Sequence, residues 1–460
     1  MNFSIIQKSQ LEEVHRLDPE YFQPKYLELD KSIKEQQFST LEDFGCKVVS
    51  GPFGSSLKSD VYLEKGIPFI RVSNLQDFFI NEDDLVCISE EDNHRLKQSQ
   101  LNPFDLVISK VGNTIGVVSA IPEELGVCNI SENNIGIKFK DANTTLDQKL
   151  FLLTFLNSKL GYLQVIRNIS GNAQPKLNIS NIAQLLIPTP QEKLLSVIKE
   201  LIISAKKTFD DSKIYYQQAE DLLLEKLGLK NFQIENDLSF VVNLSDVKSV
   251  NRIDAEYFHP KYQKLVEQIK KHNAKLLGDL VSMKKGFEPG SKAYQEEGKL
   301  FIRVSSLSKF GIEDKDQKYL SEELYKRLQN DFEPKIGEVL LTKDATPGIA
   351  YVLKEAVEGI ISGGILRLKV KDNIDPEYLA LCISSVIGQW QAERDAGGSI
   401  IAHWKPEQIK NLLIPILPKT TQEKIAELVR KSHEARKKSK ELLEEAKRKV
   451  EEMVEKGGES

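Results

Sequence analysis

Two long stretches of the chain repeat apolar or small residues at alternating spacings of four and three, the pattern of a helix that buries one narrow stripe. Across 191–227 the stripe consists of Leu194, Ile198, Leu201, Ala205, Thr208, Ser212, Tyr215, Ala219 and Leu222. Across 422–454 it consists of Ile425, Leu428, Ser432, Ala435, Ser439, Leu442, Ala446 and Met453. The sequence therefore predicts a central helical spacer over 191–228 and a C-terminal helical spacer over 422–460, each about 50–55 Å long.

Small residues on both stripes permit two helices to approach closely, and the dense charge of 430–456 leaves only a narrow apolar surface. The simplest arrangement is that the two helices pack antiparallel on each other. The alternative is that each helix lies on its own domain as a terminal helix. Thr189 and Thr420 or Thr421 are predicted to cap the helix N-termini, and Gly228 is predicted to end the first helix.

Ahead of each predicted spacer lies a segment of about 190 residues in which short β-type runs alternate with turn residues and helical patterns. The β-type runs are 67–72, 106–109, 135–139, 300–304, 339–342 and 365–370. The main helical patterns are 147–167 and 376–395. These patterns predict two mixed domains, residues 1–190 and 229–421.

The two mixed segments resemble each other closely. R-L-D-P-E-Y-F-Q-P-K-Y at 16–26 returns as R-I-D-A-E-Y-F-H-P-K-Y at 252–262, with eight of eleven positions identical. F-I-R-V-S-N-L at 69–75 returns as F-I-R-V-S-S-L at 301–307. A repeat of about 230 residues is a duplicated domain, because solenoid units are far shorter. The expected fold class is α+β: two homologous mixed α/β domains joined and separated by two long antiparallel helices that form a coiled coil, with an internal pseudo-twofold.

Composition places the chain among ordinary globular proteins. It has 460 residues, of which 40% are hydrophobic and 28% are charged. No run reaches the roughly 18 apolar residues that span a bilayer, and the N-terminus lacks a signal-peptide pattern, so we expect a cytoplasmic protein. The formal net charge of −5 argues mildly against nucleic acid, because phosphate binding depends on Lys and Arg. Where the cations lie matters more than their sum.

The cysteines and histidines form no recognisable metal or disulfide pattern. The four cysteines, Cys46, Cys87, Cys128 and Cys382, show no C-x-x-C spacing, and three of them lie in the first half. We expect them to be buried as small hydrophobic residues. The six histidines include no H-E-x-x-H, so no metal is expected.

Four pairs of loops, with one member of each pair in each half, carry the candidate chemistry. The pairs are 50–60 with 284–294, 106–116 with 339–348, 130–136 with 361–365, and 170–178 with 397–406. Serine hydroxyls, exposed backbone N–H groups and lysines suit phosphate oxygens, whereas Asn, Gln and Lys suit base edges. The candidate nucleic-acid contacts of the first half are Ser55, Ser56, Lys58, Arg71, Asn74, Lys110, Asn113, Thr114, Asn133, Asn172, Gln174 and Lys176. Those of the second half are Lys284, Lys285, Ser291, Lys292, Arg303, Lys343, Thr346, Ser399, His403 and Lys405.

Each of these residues also has a plainer interpretation as part of a surface turn. In the fourth loop pair, three residues of the first half are set against three of the second: Asn172, Gln174 and Lys176 against Ser399, His403 and Lys405. That difference fits two readers of different sequences, and it fits neutral drift as well. Arg71 and Arg303 either meet phosphates or pair with a carboxylate such as Asp18 or Asp254.

The sequence contains no recognised catalytic motif. There is no F-x-G-x-G with N-P-P-[FY], since N-P-F-D at 102–105 departs from the latter, and there is no P-loop motif. The carboxylates Asp18 and Glu20 recur as Asp254 and Glu256, but no histidine or metal-ligand partner stands nearby. We therefore interpret them as structural and expect a chain that is not itself an enzyme.

The order of these features resembles the specificity (S) subunit of type I restriction–modification systems. I-R-V-S-N-L at 70–75, G-N-T-I-G at 112–116 and L-I-P-T-P-Q-E-K at 186–193 precede the first predicted helix. I-R-V-S-S-L at 302–307 and Q-E-K at 422–424 repeat the pattern before the second. The resemblance extends over essentially the whole chain, and it lies in the repeated order of the motifs.

This resemblance implies that each mixed domain is a target recognition domain that reads one half of a bipartite double-stranded DNA site. The coiled coil would set the spacing between the half-sites, and about 50 Å corresponds to about 15 base pairs. It also implies that methyltransferase (M) subunits, commonly two, dock on the helices, and that restriction (R) subunits join the full complex. S-adenosylmethionine, ATP and magnesium would be bound by those partners, and no cofactor by this chain.

Two other functions stay open at this point. One is a self-contained DNA-modifying enzyme with unrecognised catalytic carboxylates. The other is a scaffold whose duplicated domains bind a protein or a peptide instead of DNA.

Overall fold

The computed structural model describes residues 4–8, 11, 16–52, 57, 61–141, 143–171, 175–230, 239–314, 317–371, 374–396 and 402–455. The chain divides into two compact units. Unit 1 comprises residues 1–208 together with 438–460, and unit 2 comprises residues 209–437. Each unit therefore contains one mixed segment and a part of each long helix.

Unit 1 is built on two sheets and a short strand pair. Its strands are β1 (Phe38–Thr40), β2 (Cys46–Ser50), β3 (Ile67–Ile70), β4 (Val86–Ile88), β5 (Leu106–Ser109), β6 (Val118–Ala120), β7 (Asn129–Ile130), β8 (Asn134–Phe139) and β9 (Leu186–Pro188). An antiparallel sheet has the order β2-β8-β5-β6. A second sheet has the order β4-β3-β7, with β3 and β7 parallel, and β1 pairs with β9.

Unit 2 repeats this plan. Its strands are β10 (Lys275–Leu276), β11 (Val281–Lys285), β12 (Lys299–Ile302), β13 (Leu307–Ser308), β14 (Gly311–Ile312), β15 (Lys318–Leu320), β16 (Val339–Thr342), β17 (Ala350–Val352), β18 (Gly359–Ile361), β19 (Ile365–Val370) and β20 (Leu413–Ile414). The main sheet has the order β11-β19-β16-β17, and the second has the order β15-β12-β18. Since both orders match those of unit 1, the predicted duplication of a mixed domain is confirmed.

Shorter helices surround the sheets in both units. Those of unit 1 are Pro24–Lys34, Glu90–Arg95, Leu146–Asn157, Lys159–Arg167 and Ile179–Ala183. Those of unit 2 are Leu244–Val250, Pro260–Lys270, Leu277–Leu280, Glu322–Phe332, Pro376–Ser384, Val386–Asp395 and Pro406–Lys410. Each long helical pattern in the mixed segments is therefore two helices, broken at Ser158 and at Ser385. These serines cap the second helix of each pair, because their Oγ atoms accept hydrogen bonds from Gly161 N and Ile387 N at 3.3 Å.

The first long helix spans Glu192–Lys226 and the second spans Lys419–Glu455. The predicted caps are displaced, since the first helix begins beyond Thr189 and the second begins before Thr420. Gly228 follows the first helix with a φ of +67°, a conformation that glycine adopts without strain. The predicted stop at this glycine is confirmed.

Serines on the predicted stripe join the two long helices. In unit 2, Ser432 Oγ donates a hydrogen bond to the backbone oxygen of Ser212 at 2.7 Å. In unit 1, Ser439 Oγ donates to the backbone oxygen of Ala205 at 2.7 Å. Between these two bonds the second long helix advances by seven residues, from Ser432 to Ser439, while the first long helix goes back by seven, from Ser212 to Ala205. The helices are therefore antiparallel, as predicted. A side chain reaches the opposite backbone because all four residues are small and buried.

A second stripe of the first long helix packs against the mixed segment of its unit. Tyr216 and Leu223 belong to the apolar core of unit 2. The rings of Tyr216 and Phe310 lie 5.1 Å apart in an edge-on arrangement. This part of the first long helix therefore packs on the mixed segment that follows it, which is not the domain named in the alternative.

Three cysteines are buried in the cores, and all four thiols are free. Burial raises the pKa of Cys46, Cys128 and Cys382 to about 12, so each stays a neutral thiol. Cys87 is half-buried. The prediction of buried, hydrophobic cysteines is confirmed for the first three. Along the described part of the chain, no helix combines the length and the apolar character needed to cross a membrane.

Candidate nucleic-acid interface

The four predicted loops of the first half meet around Lys110, the residue that follows β5. Its backbone N donates to Asn133 O at 2.9 Å, and its backbone O accepts from Leu177 N at 3.1 Å. Its Nζ lies 3.3 Å from the Oγ of Ser50, at the end of β2. Four segments that are distant in sequence are thereby placed at one end of the main sheet.

Three loops of the second half meet around Lys343 in the same way. Its backbone N donates to Gly364 O at 2.9 Å, and its backbone O accepts from Trp404 N at 2.8 Å. Its Nζ lies 2.5 Å from a carboxylate oxygen of Asp344. The backbone framework around Lys110 is therefore reproduced in unit 2.

The predicted alignment of Lys176 with Lys405 is wrong by two positions. Isolated antiparallel bridges join Val111 to Lys176 in unit 1 and Asp344 to His403 in unit 2. Lys176 therefore corresponds to His403. Lys405 stands two residues later, at the N-cap of the next short helix.

The candidate residues differ in exposure. Ten are exposed: Asn113, Asn133, Lys176, Lys284, Lys285, Ser291, Lys292, Thr346, His403 and Lys405. Three are half-buried: Arg71, Lys110 and Arg303. Three are buried: Asn74, Thr114 and Lys343. The remaining candidates lie outside the described residues: Ser55, Ser56, Lys58, Asn172, Gln174 and Ser399.

Asn74 is 1% exposed, and its amide is used within the fold. Its Oδ1 accepts a hydrogen bond from the backbone N of Arg71 at 3.0 Å. Its Nδ2 donates to the backbone oxygens of Asn81 and Asp83 at 3.1 and 3.3 Å. The structure gives Asn74 a role inside the fold in place of the predicted nucleic-acid contact.

Thr114 and Lys343 are likewise occupied beneath the surface. The Thr114 hydroxyl shares a hydrogen bond of 3.0 Å with the Ser109 hydroxyl. The Lys343 side chain is paired with Asp344. Both residues support the loops that carry the exposed candidates, and neither presents a free polar group in this arrangement.

The most strongly repeated motif of the sequence contains a half-buried pair of an arginine and an aspartate joined by two hydrogen bonds. Arg16 Nε and Nη2 lie 2.8 and 2.6 Å from the two carboxylate oxygens of Asp18. Arg252 repeats the geometry on Asp254 at 2.9 and 2.5 Å. Hydrogen bonds from the arginines hold the pKa of both carboxyls below its ordinary value. The structural interpretation of these recurring aspartates is supported.

Arg71 has a different environment from the one suggested as an alternative. Its Nη2 donates to the backbone oxygen of Asp84. Its Nε is buried without a hydrogen-bond partner among the residues that the structure describes. Because Arg16 occupies Asp18, the proposed pairing of Arg71 with that carboxylate is wrong.

Asp344 is the central residue that sequence reasoning missed. Its carboxylate contacts both Lys343 and His403, although 59 residues separate it from the histidine. One signal was present in the sequence, since K-D at 343–344 replaces K-V at the duplicated position 110–111. Nothing in the spacing showed that His403 would stand opposite.

The described residues do not bring together three or more His, Cys, Asp or Glu side chains in a metal-binding arrangement. The exposed side chains of the loops can form hydrogen bonds and charge interactions. The exposed groups are ammonium, amide, hydroxyl and imidazole groups. These groups recognise phosphates and base edges.

Comparison with known proteins gives a family and several distant structures. A family model described as the type I restriction modification DNA specificity domain matches residues 34–222 and 269–447. No curated protein matches the chain. The type I restriction-modification S subunit from M. genitalium is 12% identical over 91% of this chain and 95% of its own, with a TM-score of 0.39.

Two further solved structures are similar at comparable identity. The HsdS subunit from Thermoanaerobacter tengcongensis is 13% identical over 90% of this chain and 97% of its own, with a TM-score of 0.27. The type IIG restriction endonuclease BpuSI is 12% identical over 42% of this chain and 30% of its own, with a TM-score of 0.30.

The family assignment rests on the two sequence matches. Each match covers most of one mixed segment and most of the long helix that follows it. Together the matches span most of the 460 residues, which confirms the resemblance seen in the motifs. The chain belongs to the type I restriction–modification DNA specificity family and carries two copies of the family's domain.

Proposed function

We propose that this chain is the DNA sequence-specificity subunit of a type I restriction–modification complex and acts in the cytoplasm. Each recognition domain, 1–190 and 229–421, reads one half of a bipartite double-stranded DNA target. The observation that carries the proposal is the duplicated loop junction, in which the backbone pairing is the same and the exposed side chains differ. Two domains that recognise different half-sites need a shared backbone frame and different exposed side chains.

The exposed candidate groups divide into two roles. Lysines suit phosphates, which supply affinity that is independent of sequence: Lys284, Lys285, Lys292 and Lys405. Lys176, at the centre of the unit 1 junction, suits a base edge instead. Amide, hydroxyl and imidazole groups suit base edges in the major groove: Asn113, Asn133, Ser291, Thr346 and His403. Three further cations are half-buried near the ends of strands, and we assign them to phosphates: Arg71, Lys110 and Arg303.

The long helices set the spacing between half-sites in this proposal, and they dock two methyltransferase (M) subunits. A spacer must resist bending. The buried serine and alanine seam supports that role, because close backbone approach and the 2.7 Å hydrogen bonds of Ser432 and Ser439 restrict sliding of one helix past the other. Docking of the M subunits is inferred from family membership.

The chain itself catalyses nothing in this proposal. S-adenosylmethionine is bound by the M subunits, and ATP and magnesium are bound by the restriction (R) subunits of the full complex. The recurring aspartates, which are candidates for the catalytic carboxylates of a self-contained enzyme, are paired with arginines: Asp18 with Arg16 and Asp254 with Arg252. That pairing disfavours the catalytic alternative.

Exchange of residues 1–190 for the corresponding domain of another family member tests the modular reading. The variant is assembled with the methyltransferase subunit of its own host, and methylated sites are mapped across a bacterial genome. We expect one half-site to change, while the other half-site and the spacer are kept. A motif in which both half-sites change, or neither, contradicts the proposal.

A second measurement addresses the competing functions. The purified chain alone is incubated with DNA and either S-adenosylmethionine or magnesium. We expect no modified or cleaved product without the partner subunits. Product formation by the chain alone would establish a self-contained enzyme instead.

A further inference from the structure

A histidine, an aspartate and a lysine form a hydrogen-bonded chain at the loop junction of unit 2. The backbone bond between Trp404 N and Lys343 O places the two loop segments side by side. As a result, His403 Nδ1 lies 2.9 Å from Asp344 Oδ1, and Lys343 Nζ lies 2.5 Å from Asp344 Oδ2. The His403 side chain remains 62% exposed. Because Nδ1 contacts Asp344, the other ring nitrogen, Nε2, is the atom of His403 that can bind a ligand.

The charge of Asp344 determines whether Nε2 of His403 donates or accepts a hydrogen bond. Burial alone would raise the pKa of Asp344, but hydrogen bonds from Lys343 and His403 outweigh burial and hold the pKa below its ordinary value. An ionised carboxylate only accepts hydrogen bonds, so the nitrogen that faces it must carry the hydrogen. In the neutral ring, Nε2 is then a hydrogen-bond acceptor. The aspartate also fixes the orientation of the ring.

Unit 1 has the same backbone and the opposite chemistry. The bridge between Val111 and Lys176 occupies the place of the bridge between Asp344 and His403. Valine cannot orient a polar partner. The exposed Lys176 ammonium has three N–H donors and no acceptor.

We infer that the two units select opposite base chemistry at equivalent positions of their half-sites. His403 Nε2 accepts a hydrogen bond from an amino-bearing base, adenine at N6 or cytosine at N4. Lys176 donates to a keto-bearing base, guanine at O6 or thymine at O4. Asp344 is a positioning residue that acts through His403. The inference rests on the proposed function and adds the class of base that each unit reads at this position.

Major-groove chemistry makes this difference decisive for sequence. Only adenine and cytosine present an amino donor there, and only guanine and thymine present a keto oxygen. For contacts at these exocyclic groups, exchange of an acceptor for a donor on the protein therefore inverts the preferred class of base on the contacted strand, whereas the N7 acceptor does not distinguish adenine from guanine. Lys343 is not a reader itself, because its side chain is buried and bound to Asp344.

Selection from a randomised double-stranded DNA library tests the inference. The full chain is used together with the methyltransferase subunit of its host. For His403→Lys, we expect one position of one half-site to change from an amino-bearing to a keto-bearing base, with about tenfold loss of the original preference. The other half-site should be unchanged. His403 is exposed, so the substitution does not disturb the core.

Two matched variants separate positioning from structure. Asp344→Val, which installs the residue of unit 1, should weaken the preference at the same position without inverting it. The double variant Val111→Asp with Lys176→His should transfer the amino preference to the half-site of unit 1. Tryptophan fluorescence checks that unit 2 stays folded, since both tryptophans lie there.

The outcomes distinguish the inference from the function on which it rests. If the unaltered complex selects no split motif, the proposed function fails and the inference falls with it. If it selects a split motif that His403→Lys leaves unchanged at every position, only the inference is overturned. A change confined to the half-site of unit 1 also overturns it.

Discussion

The two units satisfy a buried carboxylate at the same strand end with different partners. In unit 2, Arg367 on β19 makes two hydrogen bonds to Glu338, at 2.8 and 3.1 Å, just before β16 begins. The strand register places Gly136 and Asp105 of unit 1 at the corresponding positions. The arginine and glutamate of one unit are thus replaced in the other by a glycine and an aspartate.

Asp105 takes its hydrogen bonds from the backbone. Its carboxylate accepts from Asn102 N at 2.8 Å and from Phe139 N at 3.1 Å, and burial raises its pKa. A side chain at Gly136 has no room, because a Cβ there would lie 2.9 Å from the Cδ2 of Leu101. The duplication has kept the strand register and let side chains diverge, at this strand end and at the loop junctions.

The largest difference in stability between the two units is expected from a substitution at the position where unit 2 buries a tryptophan and unit 1 buries a leucine. Trp404 and Leu177 follow the same bridge in the two units, and both are fully enclosed. Trp404→Ala leaves a large cavity and should destabilise unit 2 by about 3–5 kcal/mol. Hydrogen exchange, read peptide by peptide by mass spectrometry, should show lost protection in unit 2 and little change in unit 1.

Trp404→Phe is the matched control. The indole N–H of Trp404 has no hydrogen-bond partner within the described ranges, so phenylalanine removes volume but no such bond. Its effect should stay below about 1.5 kcal/mol. Equal losses for the two variants would show that the cavity is not what matters at this position.

An intermediate effect is expected from breaking the ion pair that unit 1 lacks. The side chains of Arg367 and Glu338 are 12% and 13% exposed. Arg367→Met leaves the carboxylate half-buried and unpaired, which should destabilise unit 2 by about 3 kcal/mol. Urea unfolding followed by tryptophan fluorescence measures this, because Trp390 and Trp404 both report on unit 2.

Removal of both charges sharpens the interpretation of that loss. The double variant of Arg367→Met with Glu338→Met leaves no unpaired charge and should recover the part of the loss that the charge causes. The hydrogen bonds of Arg367 to the backbone oxygens of Asp331 and Glu333 stay lost in both variants. If the single variant lowers the free energy of unfolding by no more than the roughly 0.5 kcal/mol typical of a surface substitution, the ion pair contributes no more to stability than a solvent-exposed pair does.

The sequence predicted the elements that follow simple periodicity. The runs 106–109, 339–342 and 365–370 are the strands β5, β16 and β19 with the same bounds. Apolar runs between turn residues suffice there, because these strands are buried among neighbours. The run 67–72 is shorter in the structure, since Val72–Asn74 forms a 3-10 turn that the Asn74 side chain stabilises.

The candidate site could be predicted only in part. Loop positions were found from the duplication, but which side chains face outward depends on hydrogen bonds to the distant backbone, as at Asn74. The partnership of Asp344 with His403 depends on loop lengths that differ between the halves. For the same reason, Lys176 was aligned with Lys405, two residues from its structural counterpart.

The smallest effect is expected from a histidine that unit 2 has and unit 1 lacks. Counted from Q-E-K, His433 on the second long helix corresponds to Ile202 on the first. Its ring stacks on Tyr351 at 5.5 Å, and neither ring nitrogen has a hydrogen-bond partner among the residues described. Burial, together with the charges of Lys354 and Arg436, lowers the pKa of His433 to about 3.

The sign of the resulting pH dependence follows from the two states of His433. An unfolded histidine binds a proton near pH 6.5, whereas the folded one does so only near pH 3, so acid favours unfolding. Above about pH 7 the histidine is neutral in both states and the free energy of unfolding of unit 2 does not depend on its protonation. Below about pH 6.5 that free energy should fall by up to about 1.4 kcal/mol per pH unit. His433→Ile, which installs the residue of unit 1, should flatten that slope. Urea titrations at several pH values between 5 and 7.5, followed by tryptophan fluorescence, measure it, and equal slopes for the variant and the unaltered chain would rule out His433 as the source.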